Sequence, residues 1–293
     1  MTASRFAPAK VNLGLHVGPL GADGYHPIRS LVAFADVGDR LRLQPAAAFA
    51  FAVEGPFAEG LAGDDNLAVR AVRALAEAAG EGMPPVRLTL EKELPVASGL
   101  GGGSTDAAAA LRLVRDACYT SVQQQALFDI AAALGADVPM CLLGRPLVAE
   151  GRGERLTPVE LAPLSAVLVN PGVACPTAEV YRRFDARGGG AAFAGSDAAW
   201  WDSNLGLRDR DAAMRDMRND LEGAAVSVAP AIGEALEILR ADRRVSLARV
   251  SGSGATVFAL CPDVAAAAAV AAAISNVRPG WWTRPCRLAG PWR

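Results

Sequence analysis

The chain has 293 residues, of which 52% are hydrophobic and 20% are charged, and its formal net charge is −2. This length and composition indicate a globular protein with one large or two moderate domains, and they exclude a disordered or fibrous chain. The near-neutral charge indicates no surface for nucleic acid or membrane, so we expect neither as a partner.

The first residues and the cysteines favour an intracellular protein without structural zinc or disulfides. The opening MTASRFAPAK has no apolar stretch behind a basic start, so we expect a cytoplasmic protein. Separately, we expect a monomer or weak homodimer. Five scattered cysteines with two histidines argue against structural zinc and disulfides. Among 29 basic residues, lysine occurs only at Lys10 and Lys92, where arginine, the usual cation of this chain, is not used.

The first predicted elements are strands followed by a helix. An extended segment, Ala9–Val17, leads through a glycine loop to strand-like residues that end at Leu43. Asn66 can cap a helix with an apolar stripe, and the alternation in Val86–Glu91 predicts a half-buried strand. A glycine-rich loop comes directly after that strand.

The later elements continue the mixture of strands and helices. Alanine-rich residues 105–117 and residues 121–134 predict two helices, and residues 166–170 predict a strand. Residues 188–211 are glycine-rich and polar, which predicts a surface excursion. An alanine-rich helix over residues 264–274 lies near the end. Strands mixed with helices, without an internal repeat, predict an α+β fold.

The glycine-rich loop is the most informative segment. Four glycines in five positions remove β-carbons from one wall, so that backbone N–H groups can surround phosphate oxygens, and the helix that follows adds unpaired donors. Ser104 and Thr105 supply hydroxyls as helix caps or as contacts to phosphate or Mg²⁺. The spacing is neither a Walker A loop nor a Rossmann fingerprint. The predicted ATP-binding residues are Pro95, Val96, Ala97, Ser98, Gly99, Leu100, Gly101, Gly102, Gly103, Ser104 and Thr105.

Three motifs in order resemble those of the GHMP kinases, the superfamily of galactose, homoserine, mevalonate and phosphomevalonate kinases. They are Pro8–Leu13, the loop Pro95–Thr105, and Val250–Phe258. The resemblance implies ATP as cosubstrate with Mg²⁺. It also implies a two-lobed α+β fold, with an N-terminal ATP-binding lobe (1–160), a C-terminal substrate lobe (161–293) and the active site in the cleft between them.

Within the superfamily, the diphosphocytidyl-methylerythritol kinases resemble this chain most. The matching blocks include Gly21–His26, Leu134–Pro139, Glu150–Glu154 and Asn219–Glu222. The resemblance implies a small-molecule acceptor, a polyol linked to cytidine diphosphate, whose 2-hydroxyl receives the phosphate in non-mevalonate isoprenoid synthesis.

Lys10 and Asp137 are the predicted catalytic residues. Phosphoryl transfer needs an in-line hydroxyl, screening of phosphate charge and usually a carboxylate that takes the proton. Asp137 matches the family's catalytic aspartate, although such a turn aspartate is often structural. An ammonium beside it can keep the carboxylate ionised and screen the phosphate, so we predict that Lys10 and Asp137 form a pair.

The resemblance also implies an acceptor site. Tyr25 and His26 would hold the cytosine, by stacking and by a hydrogen bond to its edge. Asn12 would orient the erythritol end or a phosphate, and Asp106 would either cap its helix or contact a Mg²⁺-bound water. The predicted substrate-binding residues are Asn12, Tyr25, His26, Thr177, Tyr181, Gly252, Ser253 and Gly254.

Two other interpretations stay open at the level of sequence. The acceptor could instead be homoserine, mevalonate or a sugar, in which case Tyr25→Ala and His26→Ala would leave acceptor affinity nearly intact. A ligand sensor on the same fold would have lost catalysis, and the retention of Lys10 and Asp137 argues against it.

Overall fold

The computed structural model describes residues 2–193 and 213–292. It forms a mixed α+β protein built on a ten-stranded sheet, as predicted. Most of the predicted excursion at 188–211 lies outside the described residues. Within them, no helix combines the length and the apolar character that crossing a bilayer requires.

The N-terminal half begins with two long strands. The elements are β1 (Ala3–Val17), β2 (Ile28–Pro45), β3 (Ala50–Glu54), α1 (Leu67–Ala79), β4 (Val86–Glu91), α2 (Gly102–Cys118), α3 (Gln124–Leu134), α4 (Val138–Leu143), β5 (Leu147–Gly151) and β6 (Arg155–Pro158). Asn66 caps α1 as predicted, because its Oδ1 accepts from the N–H of Ala68 at 2.9 Å.

The C-terminal half adds shorter strands and four helices with defined bounds. They are β7 (Leu164–Asn170), α5 (Thr177–Ala186), α6 (Glu222–Val228), α7 (Ala231–Ala241), β8 (Leu247–Val250), β9 (Val257–Cys261), α8 (Val264–Val277) and β10 (Trp282–Ala289). The alanine-rich segment is helical as predicted, and the side chain of Asp263 caps it by accepting from the N–H of Ala266.

The sheet joins the two halves. Its main path runs β3-β4-β2-β10-β7-β9-β8, with β1 paired to β2, and β5 paired to β2 and β6. The last strand, β10, therefore lies between β2 of the first half and β7 of the second. One apolar cluster covers α1 and α2, a second covers α5 to α8, and a third packs Val11 and Leu100 with Phe258 and Leu288.

Candidate active site

Two glycine loops from opposite halves of the chain meet in the structure. One joins β4 to α2 and the other joins β8 to β9. The Ser251 hydroxyl donates to the Gly99 carbonyl oxygen at 3.0 Å, and the N–H of Thr256 donates to the Ser98 carbonyl oxygen at 3.0 Å. Gly99 has φ +77°, and a Cβ there would lie 2.4 Å from the Ser251 carbonyl oxygen, so only glycine permits this approach.

Helix α2 begins within the first loop, three residues before the predicted start. Gly101 is its N-cap with φ +63°, and no side chain caps the helix. The N–H groups of Gly102, Gly103 and Ser104 consequently have no acceptor within the helix, and they open the positive end of its dipole. This arrangement suits phosphate oxygens.

The two hydroxyls at this helix start differ. Ser104 lines the cleft, whereas the Thr105 hydroxyl donates back to the Gly102 carbonyl oxygen at 2.9 Å and the residue is buried. Neither side chain is the helix cap, so that alternative is wrong for both. The structure does not bring the Thr105 side chain into the cleft.

Lys10 and Asp137 form the predicted pair. Nζ of Lys10, on β1, lies 2.8 Å from Oδ2 of Asp137, at the start of α4. Asp137 occupies the N-cap position of α4, yet its side chain makes no capping bond. Its carboxylate is therefore directed to Lys10 instead of stabilising the turn. The backbone N–H of Lys10 also donates to the Leu100 carbonyl oxygen at 2.8 Å, which ties β1 to the loop.

The electrostatics of the pair keep the ammonium charged. Burial alone would lower the pKa of Lys10, but the charge of Asp137 and the hydrogen bond to it outweigh that effect and raise the pKa above its ordinary value. Burial, with the charges of Asp137 and Asp185, raises the pKa of Tyr181 to about 12, so its phenol stays protonated at neutral pH.

The pair faces a cleft of about 440 Å³ whose walls come from both halves. Side chains and backbone of the two glycine loops, of β1 and of α5 surround it. Its lining includes, among the predicted residues, Lys10, Asn12, Ala97, Ser98, Gly99, Gly101, Gly102, Gly103, Ser104, Asp137, Thr177, Tyr181, Gly252 and Ser253.

A smaller cavity of about 230 Å³ adjoins the loop on the side of α1. Pro95 and Val96 line it together with Leu61 and Asn66, and Gly102 and Gly103 border both cavities. Leu100 is fully buried in the core between the halves.

The polar groups in the cleft include one free acceptor. The amide nitrogen of Asn12 donates to the Ser30 hydroxyl at 2.7 Å, whereas its buried Oδ1 has no partner. The hydroxyls of Thr177 and Ser253 lie 2.8 Å apart. None of these groups lines the smaller cavity.

The predicted cytosine residues are only partly brought together. The centre of the His26 ring lies 5.3 Å from that of the Tyr181 ring. Nδ1 of His26 is 2.8 Å from the Gly18 carbonyl oxygen. Nε2 of His26 is 3.1 Å from Oδ1 of Asp185, but without hydrogen-bond geometry. Tyr25 is 57% exposed, and its ring packs under the Arg152 guanidinium outside the cleft lining. Gly254 is not part of the cleft lining, and a Cβ there would lie 3.2 Å from Cδ1 of Ile232.

A buried charged cluster beside the first loop was not predicted. Nζ of Lys92 lies 2.5 Å from Oδ2 of Asp39 and 2.7 Å from Oδ2 of Asp106. Asp106 therefore neither caps α2 nor faces open water, because it is buried against Lys92. The rarity of lysine was the available signal for this cluster, whereas nothing in the sequence distinguished Asp39.

The comparisons with known proteins agree with this geometry. Residues 66–145 match the model for the GHMP kinases N terminal domain, and residues 203–279 match the model for the GHMP kinases C terminal. A 4-diphosphocytidyl-2-C-methyl-D-erythritol kinase from Caulobacter vibrioides is 51% identical, with 99% of this chain and 100% of that protein covered.

The chain belongs to the 4-diphosphocytidyl-2-C-methyl-D-erythritol kinase family of the GHMP kinases. A relative of that name from Hyphomonas neptunium is 48% identical over 97% of this chain and 96% of its own length. A crystal structure of a 4-(cytidine 5'-diphospho)-2C-methyl-D-erythritol kinase superposes with TM-score 0.79 at 36% identity, with 99% and 100% covered. A homoserine kinase from Cytophaga hutchinsonii, at 19% identity and TM-score 0.71, shares the fold.

Proposed function

We propose that this family member transfers the γ-phosphate of ATP to the 2-hydroxyl of 4-diphosphocytidyl-2-C-methyl-D-erythritol. The observation that carries the proposal is the Lys10–Asp137 contact of 2.8 Å, which lies in the same cleft as the open N–H groups at the head of α2. A phosphate held by those N–H groups and a hydroxyl held beside Asp137 would meet across this cleft.

Each group of the cleft has a role in that transfer. Asp137 accepts the proton of the attacking hydroxyl, and Lys10 orients its carboxylate and screens the developing phosphate charge. The N–H groups of Gly102, Gly103 and Ser104 hold phosphate oxygens, so that the transfer relies on positioning and on fixed positive charge. Lys10 stays protonated during the step, because the pKa of its ammonium is raised.

The remaining predicted ligand residues divide between the two substrates. The nucleoside of ATP takes the small cavity lined by Pro95 and Val96. The free Oδ1 of Asn12 accepts a hydrogen bond from a hydroxyl of the acceptor, and Thr177 and Ser253 stand beside it. His26 and Tyr181 contact the cytosine, with Tyr25 closing over it from the exposed loop.

Mg²⁺ enters the proposal as a companion of the nucleotide. Within residues 2–193 and 213–292, no group of three or more histidine, cysteine, aspartate or glutamate side chains could hold a metal. Asp106, in the first two turns of α2, is committed to Lys92. The donor set therefore fits an ion held by phosphates and water, as Mg²⁺ prefers, and this ion would neutralise phosphate charge.

The proposal extends to organisation in the cell and in the chain. Residues 1–160 supply the ATP lobe and residues 161–293 the substrate lobe. The enzyme acts in the cytoplasm as a monomer or weak homodimer, without a nucleic-acid partner.

A panel of acceptors tests the proposal. ADP release should require 4-diphosphocytidyl-2-C-methyl-D-erythritol, and the rate should fall by about a hundredfold or more with methylerythritol phosphate lacking the cytidylyl group, because distant binding groups position the reacting hydroxyl. Homoserine and mevalonate serve as controls on the acceptor. A rate with either of them equal to that with 4-diphosphocytidyl-2-C-methyl-D-erythritol would refute the assignment of the acceptor. No ADP release with any acceptor would refute the assignment of kinase activity.

A further inference from the structure

The two lysines of the chain pack against successive glycines of the first loop. A Cβ at Gly101 would lie 3.2 Å from Cβ of Lys10, and a Cβ at Gly102 would lie 2.9 Å from Nζ of Lys92. Lys10 belongs to the reacting pair described above. Lys92 has no part in that chemistry, although it is as deeply buried as Lys10 and lies at the same loop.

Lys92 links three elements through its ammonium. It follows β4, it contacts Asp39 on β2 at 2.5 Å, and it contacts Asp106 on α2 at 2.7 Å. Oδ1 of Asp39 in turn accepts from the N–H groups of Glu93 and Leu94, at 2.7 Å and 2.8 Å, in the segment that leads into the loop. Both sides of the loop are therefore fixed to the sheet through one cation.

Burying these charged groups costs desolvation free energy, so a contribution to stability alone does not explain the cluster. The exposed fraction of each side chain is 4% or less, and two carboxyl groups share one ammonium, which leaves Oδ1 of Asp106 buried without a partner. Buried ion pairs often stabilise no better than apolar residues of similar volume. A role in fixing geometry accounts for the position of the cluster under the phosphate loop better than a role in the core.

We propose that Lys92 is a positioning residue for the nucleotide, and that it holds the first turn of α2 in place through Asp39 and Asp106. This role rests on the proposed function to the extent that phosphates bind at the loop. Lys92 and Asp106 line the small cavity beside the loop and not the cleft that contains Thr177 and Tyr181. The effect of Lys92 therefore falls on the nucleotide and not on the acceptor.

The site requires a lysine. Two carboxyl groups contact Nζ, and a Cβ at Gly102 would lie only 2.9 Å from it, so little space is left around the ammonium. An ammonium is a compact point charge, whereas a guanidinium is a wide planar fork. Lys92→Arg keeps the charge but should displace Gly102 or Asp106.

Calorimetric titration of ADP into wild type and Lys92→Arg tests the proposal, with KM measured for both substrates. We expect the ADP dissociation constant to rise about tenfold or more, because hydrogen bonds to charged groups are lost or distorted, while the acceptor KM stays within about twofold. The matched control is Arg249→Met, which removes a buried cation bound to the Leu13 and Met217 carbonyls. This control should lower the melting temperature and leave ADP affinity unchanged.

Unchanged ADP affinity in folded Lys92→Arg, or an equal rise in both KM values, would overturn the positioning role. If Lys92→Arg does not fold, Asp106→Ala is the variant that tests the role. Alanine is favourable in a helix, and this substitution removes only the contact between residue 106 and Lys92. Weaker ADP binding by Asp106→Ala supports the role, and unchanged binding refutes it. Wild-type protein that binds no ADP would contradict both this role and the proposed function.

Discussion

At the scale of single residues, Lys10 and Lys92 make the same kinds of contact with different partners. Each ammonium is buried, contacts a carboxylate at 2.8 Å or less, and supports one glycine of the phosphate loop. Arginine supplies the other 27 of the 29 basic residues. Its guanidinium is a wide planar fork, whereas an ammonium is a compact charge. The chain thus uses lysine where a compact positive charge packs against the backbone of the phosphate loop.

The pH dependence of stability should report on Asp106. Burial, partly offset by Lys92 and increased again by Asp39, raises the pKa of Asp106 from 3.8 to about 8. The folded state then keeps a proton that the unfolded chain releases, so this contribution is present in full below 3.8 and is lost as the pH rises through about 8.

Thermal unfolding of wild type and Asp106→Asn measures this directly. Between about pH 5 and pH 8.5 the wild-type melting temperature should fall relative to that of Asp106→Asn. In a chain of this length, the fall should be about 2 °C for each kcal/mol of unfolding free energy that is lost. Asp129→Asn, an exchange on the exposed face of α3, is the control and should not change the slope. A constant difference across this pH range would contradict the raised pKa.

The sequence was a better guide to the reacting pair than to its surroundings. Lys10 and Asp137 were found because their motifs are distinctive and because an isolated lysine on an apolar strand needs a partner. Asp39 and the free oxygen of Asn12 were not predicted, since their roles depend on contacts with residues 53 and 18 positions away. Tyr25 was assigned from resemblance, and in the structure its loop holds it against Arg152.

At the scale of elements, the start of α2 sets the geometry of the phosphate loop. The alanine-rich pattern predicted residue 105 as the beginning, because glycine disfavours helix. The structure begins the helix at Gly102, since Lys92 contacts Asp106 and Gly101, at the N-cap, takes a left-handed conformation that glycine adopts without strain. Tertiary contacts therefore extended the helix beyond its propensity.

Gly102→Ala tests that geometry. The added Cβ would lie 2.9 Å from Nζ of Lys92, so either the first turn or the buried ammonium must shift, and we expect the KM for ATP to rise about tenfold. The control is Gly80→Ala at the end of α1, where φ is +70° and nothing lies within 4 Å. It should cost about 1 kcal/mol of folding stability and leave that KM unchanged. Equal KM values for wild type and Gly102→Ala would contradict this account of the loop.

At the scale of the whole molecule, the last strand makes the cleft possible. β10 pairs with β2 and β7, so the loops that follow β4 and β8 are held by one sheet. The sequence predicted the individual strands and the α+β class, but the strand order depends on the pairing of β2 with β10, which lie more than 200 residues apart. No local pattern encodes that pairing, and it is what brings Ser251 to Gly99.

The most direct test of the central claim is ³¹P NMR of the reaction products with wild type and Asp137→Asn. With ATP and 4-diphosphocytidyl-2-C-methyl-D-erythritol, wild type should form a phosphomonoester on the 2-hydroxyl. Asp137→Asn should form it about a hundredfold more slowly or worse, because the proton acceptor is lost. Asp137→Asn that turns over within about threefold of wild type would contradict the account, since general-base groups contribute far more than that.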